Sequence, residues 1–279
     1  MAAIAAILVS AWSYFYLSEK MNVKIAEDAS SSEPGGLEQN VMSFSIEGRS
    51  PKGARQWHLN GDSAQIVGED IYLDKLSAVA YGDESVINLS SDSGVYRRAA
   101  GEVELIGNVR VFSGTEFTLV TDKARWSQEN KEIFTDETVN ISREGMSAIG
   151  KGGRANSDEK WARLNRDVHV SIEPNTKIRS DGPLEVRYED NVAVFRDNVV
   201  VDDAEGRLVA DILTVEFDPE TKQLSRVTAE GNVKVKKGNN YTLSEKAVYT
   251  DGTKSAELFG RPRIIIDPAE IENFDKMAI

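Results

Sequence analysis

His58 and His169 are the only imidazoles in the chain of 279 residues, and cysteine is absent. A chain with no thiol excludes disulfides, thiol catalysis and Cys-ligated metal. Two isolated histidines, with no His-x-x-x-His pair, give a zinc site or a Ser-His-Asp triad too little to work with. Gly150-Lys151-Gly152-Gly153 is glycine-rich. It lacks the Gly-x-x-x-x-Gly-Lys-Ser/Thr spacing and a following helix that a phosphate cradle needs, so it reads as a loop. The adjacent carboxylates Asp202-Asp203 and Glu189-Asp190 raise the question of glycosidase-type acid and nucleophile pairing. Acids side by side at β-turns are usually solvated tips, however. The expectation is a chain with no enzymatic activity, no cofactor and no metal.

The balance of 33 Lys and Arg against 46 Asp and Glu gives a formal charge of −13. No basic run is long enough to track a phosphate backbone, so nucleic acid is not an expected partner. The same acidity repels anionic lipid headgroups at long range, so affinity for a lipid must come mainly from apolar contact.

From Met1 to Leu17 no side chain is charged. Such a run spans about 25 Å as a helix at ~1.5 Å per residue, and Trp12, Tyr14 and Tyr16 suit the aromatic belt of an interface. It lacks the basic start and small-x-small site of a cleaved signal peptide, and is read as a single membrane anchor over residues 1–20. Lys20 and Lys24 then fall on the exported side, against the usual charge bias. The polar stretch Glu27-Asp28-Ala29-Ser30-Ser31-Ser32-Glu33-Pro34-Gly35-Gly36 makes residues 21–42 a flexible tether.

The elements that would position any site come from a short pattern that returns six times, a turn pair followed by apolar residues at alternate positions. Its copies begin at Gly107-Asn108, Glu137-Thr138, Arg166-Asp167, Asp197-Asn198, Gly231-Asn232 and Gly260-Arg261, and their third residues fall 29 to 34 positions apart. A fixed period of this length indicates stacked repeats sharing one core. Between the copies, Ala124-Arg125-Trp126, Val186-Arg187-Tyr188, Val215-Glu216-Phe217 and Ala247-Val248-Tyr249 precede polar turns. Each repeat thus reads as about three short strands, and no convincing helical period appears between residues 43 and 266. Alternation places Val109, Val111, Val139, Ile141, Val168, Val170, Val199, Val201, Val233 and Val235 on one dry face, opposite Asn108, Arg110, Asn140, His169 and Lys234. An unclosed β structure also needs its edges paired or capped. Phe44 and Ile46 at one end, and Ile264 and Ile266 at the other, are the candidate partner strands.

The anchor, the tether, Trp57-His58-Leu59-Asn60-Gly61-Asp62-Ser63-Ala64 and the Gly-Asn-Val-x-Val repeats together resemble the lipopolysaccharide-transport (Lpt) periplasmic bridge family. The first portion is similar to the membrane-anchored LptC type and the later repeats to the soluble LptA (OstA-like) type. The resemblance implies an all-β fold, an elongated open β-jelly-roll or twisted β-solenoid of antiparallel strands behind one N-terminal transmembrane helix. The expected organisation is an LptC-like domain over 43–154, LptA-like repeats over 155–267 and a tail over 268–279. It further implies an inner-membrane protein with its body in the periplasm, passing lipopolysaccharide by its acyl chains along an apolar groove. The implied partners are lipopolysaccharide, an inner-membrane ATP-binding-cassette lipid extractor, and a periplasmic bridge protein or outer-membrane translocon stacked on an edge strand. Two rivals stand beside this reading: an envelope scaffold polymerising through its terminal strands with a filled core, and a β-helical polysaccharide-active enzyme.

Overall fold

The computed structural model describes residues 38–49, 55–81, 86–113, 117–127, 129–156 and 158–267. The expected anchor at residues 1–20, most of the tether and the C-terminal tail lie outside them. Two compact units emerge, residues 38–144 with 152–162, and residues 145–151 with 163–267. Among the described residues every element is β.

The first unit contains β1 (Glu38–Arg49), β2 (Arg55–Val67), β3 (Asp70–Tyr81), β4 (Val86–Arg97), β5 (Glu102–Ser113), β6 (Phe117–Ser127) and β7 (Glu132–Arg143). Each pairs antiparallel with the next. The strands β8 (Met146–Asn156) and β9 (Trp161–Ile172) contribute residues to both units. In the second unit, β10 (Thr176–Ser180) pairs with β9, and both β10 and β11 (Leu184–Arg187) pair with β12 (Val192–Asp202). Antiparallel pairing continues through β13 (Arg207–Phe217), β14 (Leu224–Lys237) and β15 (Asn240–Thr250). β15 carries both β16 (Ser255–Phe259) and β17 (Arg263–Ile265) on its other side.

The recurring pair is not a turn that ends a strand, as the spacing suggests, but a bulge inside one. Gly107 and Asn108 have φ of 77° and 46°, Asp197 and Asn198 64° and 52°, and Gly231 and Asn232 75° and 49°. In each case two residues oppose a single acid on the following strand: Asp122, Asp211 and Glu245 respectively. A bulge of this kind bends the strand and deepens its twist without ending the ladder. A repeat is therefore two long bent strands rather than three short ones.

The chemistry of the bulge residues follows from this backbone. Gly, and next to it Asn and Asp, adopt the left-handed region at the lowest cost. Asn then uses its side chain as well, because the amides of Asn108, Asn198 and Asn232 donate to Asp92, Asp181 and Asp211 on the preceding bend at 2.7, 2.7 and 2.8 Å. A Cβ on Gly231 would run into the Asp211 carboxylate. Gly231→Val is accordingly expected to cost the second unit about 2 kcal/mol or more, from ~1–2 kcal/mol of left-handed strain plus the displaced carboxylate. Urea denaturation followed by far-ultraviolet circular dichroism measures it.

Proline decides where a bend does become a break. Pro183 separates β10 from β11, and Pro262 separates β16 from β17, since a residue without an N–H cannot continue a ladder. Residues 150–153, expected as a loop, lie within β8. Gly150 is there because Leu164 sits where a Cβ would go, 2.9 Å from its Cβ position.

Candidate functional site

Residues directly opposed in an antiparallel pair project to the same side, so the register defines rows of side chains. In the first unit one row is Ile66, Ile71, Tyr96, Val103, Trp126 and Ile133. Across the bend a second row is Leu59, Ala78, Leu89, Val111, Leu119 and Ile141. Leu76 connects the two arms, its Cδ1 filling the space beside Gly94, next to Leu105. The apolar sides of both arms thus face a common interior. Val109, Val111, Val139 and Ile141 are buried there, while Leu59, Leu89, Tyr96, Val103, Leu119, Trp126 and Ile133 are only half-buried.

The second unit builds the same kind of rows and buries part of each. Leu184, Phe195, Leu213, Ala229, Ala247 and Leu258 form one. Val170, Ile178, Val201, Leu208, Val235, Thr242 and Ile264 form another. Val168, Val186, Phe195 and Val199 are 0% exposed, and Val170 and Val233 1%. Val201 and Val235 are half-buried. The register thus brings Val170, Val201 and Val235, three of the residues singled out by alternation, into one row with the edge candidate Ile264.

The edge residues differ. Phe44 and Ile46 on β1 are half-buried, and the Phe44 ring covers Gly61. Ile264 on β17 is 65% exposed, and Ile266, just past the strand, is also exposed. Asp267 holds the end of β17 in place, its N–H donating to Asn240 Oδ1 at 2.8 Å and its carboxylate accepting from Asn239 at 2.9 Å. Sequence alternation missed the half-buried row through Tyr96, Val103 and Trp126. Its signal was there, because Val103 and Leu105 share parity with Val109 and Val111 across a two-residue bulge.

The outer side of the first unit carries its charge. Glu104 is buried among Arg97, Lys123 and Arg125, accepting from Arg97 Nη2 at 2.7 Å, from Lys123 Nζ, and lying 3.4 Å from Arg125 Nε. Arg125 and Arg154 lie 5.2 and 5.8 Å from the Phe134 ring centre. The ammonium of Lys123 and then the guanidinium of Arg97 hold the Glu104 carboxyl below its ordinary range, against the opposing effect of burial. A depressed folded pKa means the stabilisation is fully present above the unfolded value of about 4.3 and is lost as pH falls through the folded value. Glu104→Gln is expected to cost about 1–2 kcal/mol at neutral pH, by removing charge-assisted hydrogen bonds. It also removes the steepening of acid unfolding below about pH 4, so parallel acid titrations of the two chains by circular dichroism provide the check.

Polar groups elsewhere are largely accounted for. His58 shares a 2.9 Å hydrogen bond with Ser45, and His169 is exposed. Asp202 accepts from Arg207 Nε at 2.5 Å, which draws its carboxyl below the ordinary range. Asp203 accepts the turn N–H groups of Glu205 and Gly206. Asp218 likewise caps its turn through Glu220 and Thr221, whose backbone N–H lowers its pKa. Among the described residues no group of His, Asp and Glu is placed to hold a metal ion, and no helix is long and apolar enough to cross a membrane. Among the described residues, two buried hydroxyls have no partner, Tyr188 Oη and Ser244 Oγ.

Antiparallel strands bent at repeated bulges around an apolar interior, with charged side chains at turns and outer faces, define the class of all-β protein to which the chain belongs. Residues 3–173 match the family model described as lipopolysaccharide-assembly, LptC-related. Residues 177–273 match that described as LptA/(LptD N-terminal domain) LPS transport protein. The chain belongs to the LptC-related lipopolysaccharide-assembly family, with an LptA-like part following, and its role lies in lipopolysaccharide transport by way of the periplasmic bridge. A crystal structure of LptH, the LptA-homologous periplasmic component of the lipopolysaccharide transport device of Pseudomonas aeruginosa, is similar at 14% identity and a TM-score of 0.38, over 44% of this chain and 95% of that one. No curated protein matches the chain.

Proposed function

We propose that the chain carries lipopolysaccharide by its acyl chains, without catalysing a reaction, along the apolar inner faces of an open β-jelly-roll fold. The observation that carries this reading is the row through Ile66, Tyr96, Val103, Trp126 and Ile133 in the first unit, all half-buried, with only Ile71 among them buried. A filled core has no need of large side chains left half-covered on its inward side. A multi-chain lipid has reason to use them, since each CH₂ withdrawn from water is worth about 0.8 kcal/mol. The groove residues are Val109, Val111, Val139 and Ile141 in the first unit and Val168, Val170, Val199, Val201, Val233 and Val235 in the second.

Residues 1–20 anchor the chain in the inner membrane, with residues 43–154 and 155–267 as its LptC-like and LptA-like parts in the periplasm. An ATP-binding-cassette extractor in that membrane supplies the energy and the lipid. A periplasmic bridge protein or the outer-membrane translocon receives it by strand addition at an edge, through Phe44 and Ile46 on β1 or Ile264 and Ile266 at β17. Exposure of Ile264 and Ile266 beside a short last strand supports that edge as the docking end.

The fully buried part of the second unit, around Phe195 and Val199, favours one rival for that portion, a filled scaffold that joins neighbours through its edges. Depletion separates the two. If the chain is depleted from growing cells and the membranes are separated by density, newly made lipopolysaccharide should accumulate in the inner-membrane fraction. Continued delivery to the surface, with envelope shape lost instead, would favour the scaffold.

A further inference from the structure

Leu184, Val186 and Tyr188 alternate along β11 and the residue after it, so Tyr188 sits at the rim of the second unit's inner face, on the side of two buried aliphatic residues. Tyr188 is half-buried as a residue, yet its hydroxyl oxygen is buried and has no hydrogen-bond partner. Burial alone pushes its phenol well above the ordinary value. Ser244 repeats the arrangement on β15. It is opposed to Val233, which places its hydroxyl on the inner side, and its oxygen too is buried and unpartnered.

A buried hydroxyl without a partner is a cost that folding alone does not explain. Phe and Ala would fill these places with no polar atom to satisfy. Both hydroxyls lie on the side that the proposed function assigns to acyl chains, and the inference rests on that reading. Plain hydrocarbon offers such hydroxyls nothing. An acyl chain bearing an oxygen near its head, as a hydroxyl or an ester or amide carbonyl, offers both a donor and an acceptor inside an apolar channel.

We infer that Tyr188 and Ser244 are polar recognition points by which the second unit prefers oxygen-bearing acyl chains over plain ones. Discrimination of this kind is strong where a site's own polar group is stranded by the wrong ligand.

The test uses the full-length chain in detergent and two monoacyl glycerophospholipids differing in one atom, a β-hydroxymyristoyl and a myristoyl probe. Wild type should bind the hydroxylated probe more tightly. Tyr188→Phe and Ser244→Ala should each weaken it about three- to tenfold, one neutral hydrogen bond's worth, and leave the plain probe within about twofold. Thermal unfolding of the empty variants should match or exceed wild type, because a stranded hydroxyl has been removed. Equal binding of both probes by wild type and variants overturns the inference while leaving the lipid-carrying reading intact. A clear drop in melting temperature overturns it as well, since the hydroxyls would then have partners, such as buried water, in the empty protein. Failure of wild type to bind either probe strikes the lipid-carrying reading itself.

Discussion

Replacing Phe195 by alanine is expected to destabilise the second unit by about 3–5 kcal/mol, the usual cost of removing a buried aromatic from a core that cannot collapse around the loss. Phe195 is 0% exposed and stands in the row between Leu184 and Leu213, with Val186, Ala193 and Val215 in the adjacent row. Each of those neighbours is held by a ladder on both sides, so the backbone has little freedom to close the cavity. Equilibrium denaturation of the full chain, with probes reporting separately on Trp126 and Trp161 and on the region after residue 163, should show the loss in the later region. A cost below about 1 kcal/mol would mean that the second unit's interior is loosely filled in spite of its burial.

The second large effect is the opposite in kind. Val103→Asp is expected to leave the first unit folded, at a cost of about 1 kcal/mol, yet to reduce lipopolysaccharide capture more than tenfold. Val103 is half-buried, so a carboxylate there keeps access to water in the empty protein. With an acyl chain laid along the Tyr96–Val103–Trp126 row the same carboxylate would lose that water, and an unpaired charge in hydrocarbon is strongly unfavourable. Circular dichroism and a lipid-capture assay on the same preparation separate the two effects. Loss of fold together with capture would mark Val103 as ordinary core, and retention of both would remove this row from the lipid path.

Much of this arrangement was legible in the sequence because two-residue periodicity and the recurring Gly-Asn and Asp-Asn pairs are direct consequences of a pleated, bulged backbone. Alternation alone assigned Val109, Val139, Val168, Val199 and Val233 to a dry face, and all five are buried. The combination of repeats with the anchor-like start was enough to identify the family. What sequence did not resolve was the meaning of the pairs. A left-handed Asn ends a hairpin as readily as it bulges a strand, and the deciding residue is the single acid on the next strand. Asp122, Asp211 and Glu245 lie in mid-strand positions where a charge would otherwise be unwelcome, a signal that becomes readable only once the pairing register is known. The half-buried row through Tyr96 was hidden for a related reason. Burial is a property of what packs opposite, and alternation reports only which way a side chain points. The same limit applied to residues 150–153, where glycine signalled a crowded strand contact with Leu164 rather than a loop.

The central claim is that the inner faces carry acyl chains, and in-cell photocrosslinking tests it most directly. A photoreactive amino acid is placed one site at a time at Val103, Val111, Ile141, Val199 and Val233, with Arg110 and Lys234 on the outer side as controls. The account predicts lipopolysaccharide adducts at the inner positions and none at the two controls. No adduct at any inner position, with the chain folded and expressed, or labelling of the outer positions to the same extent, would contradict it.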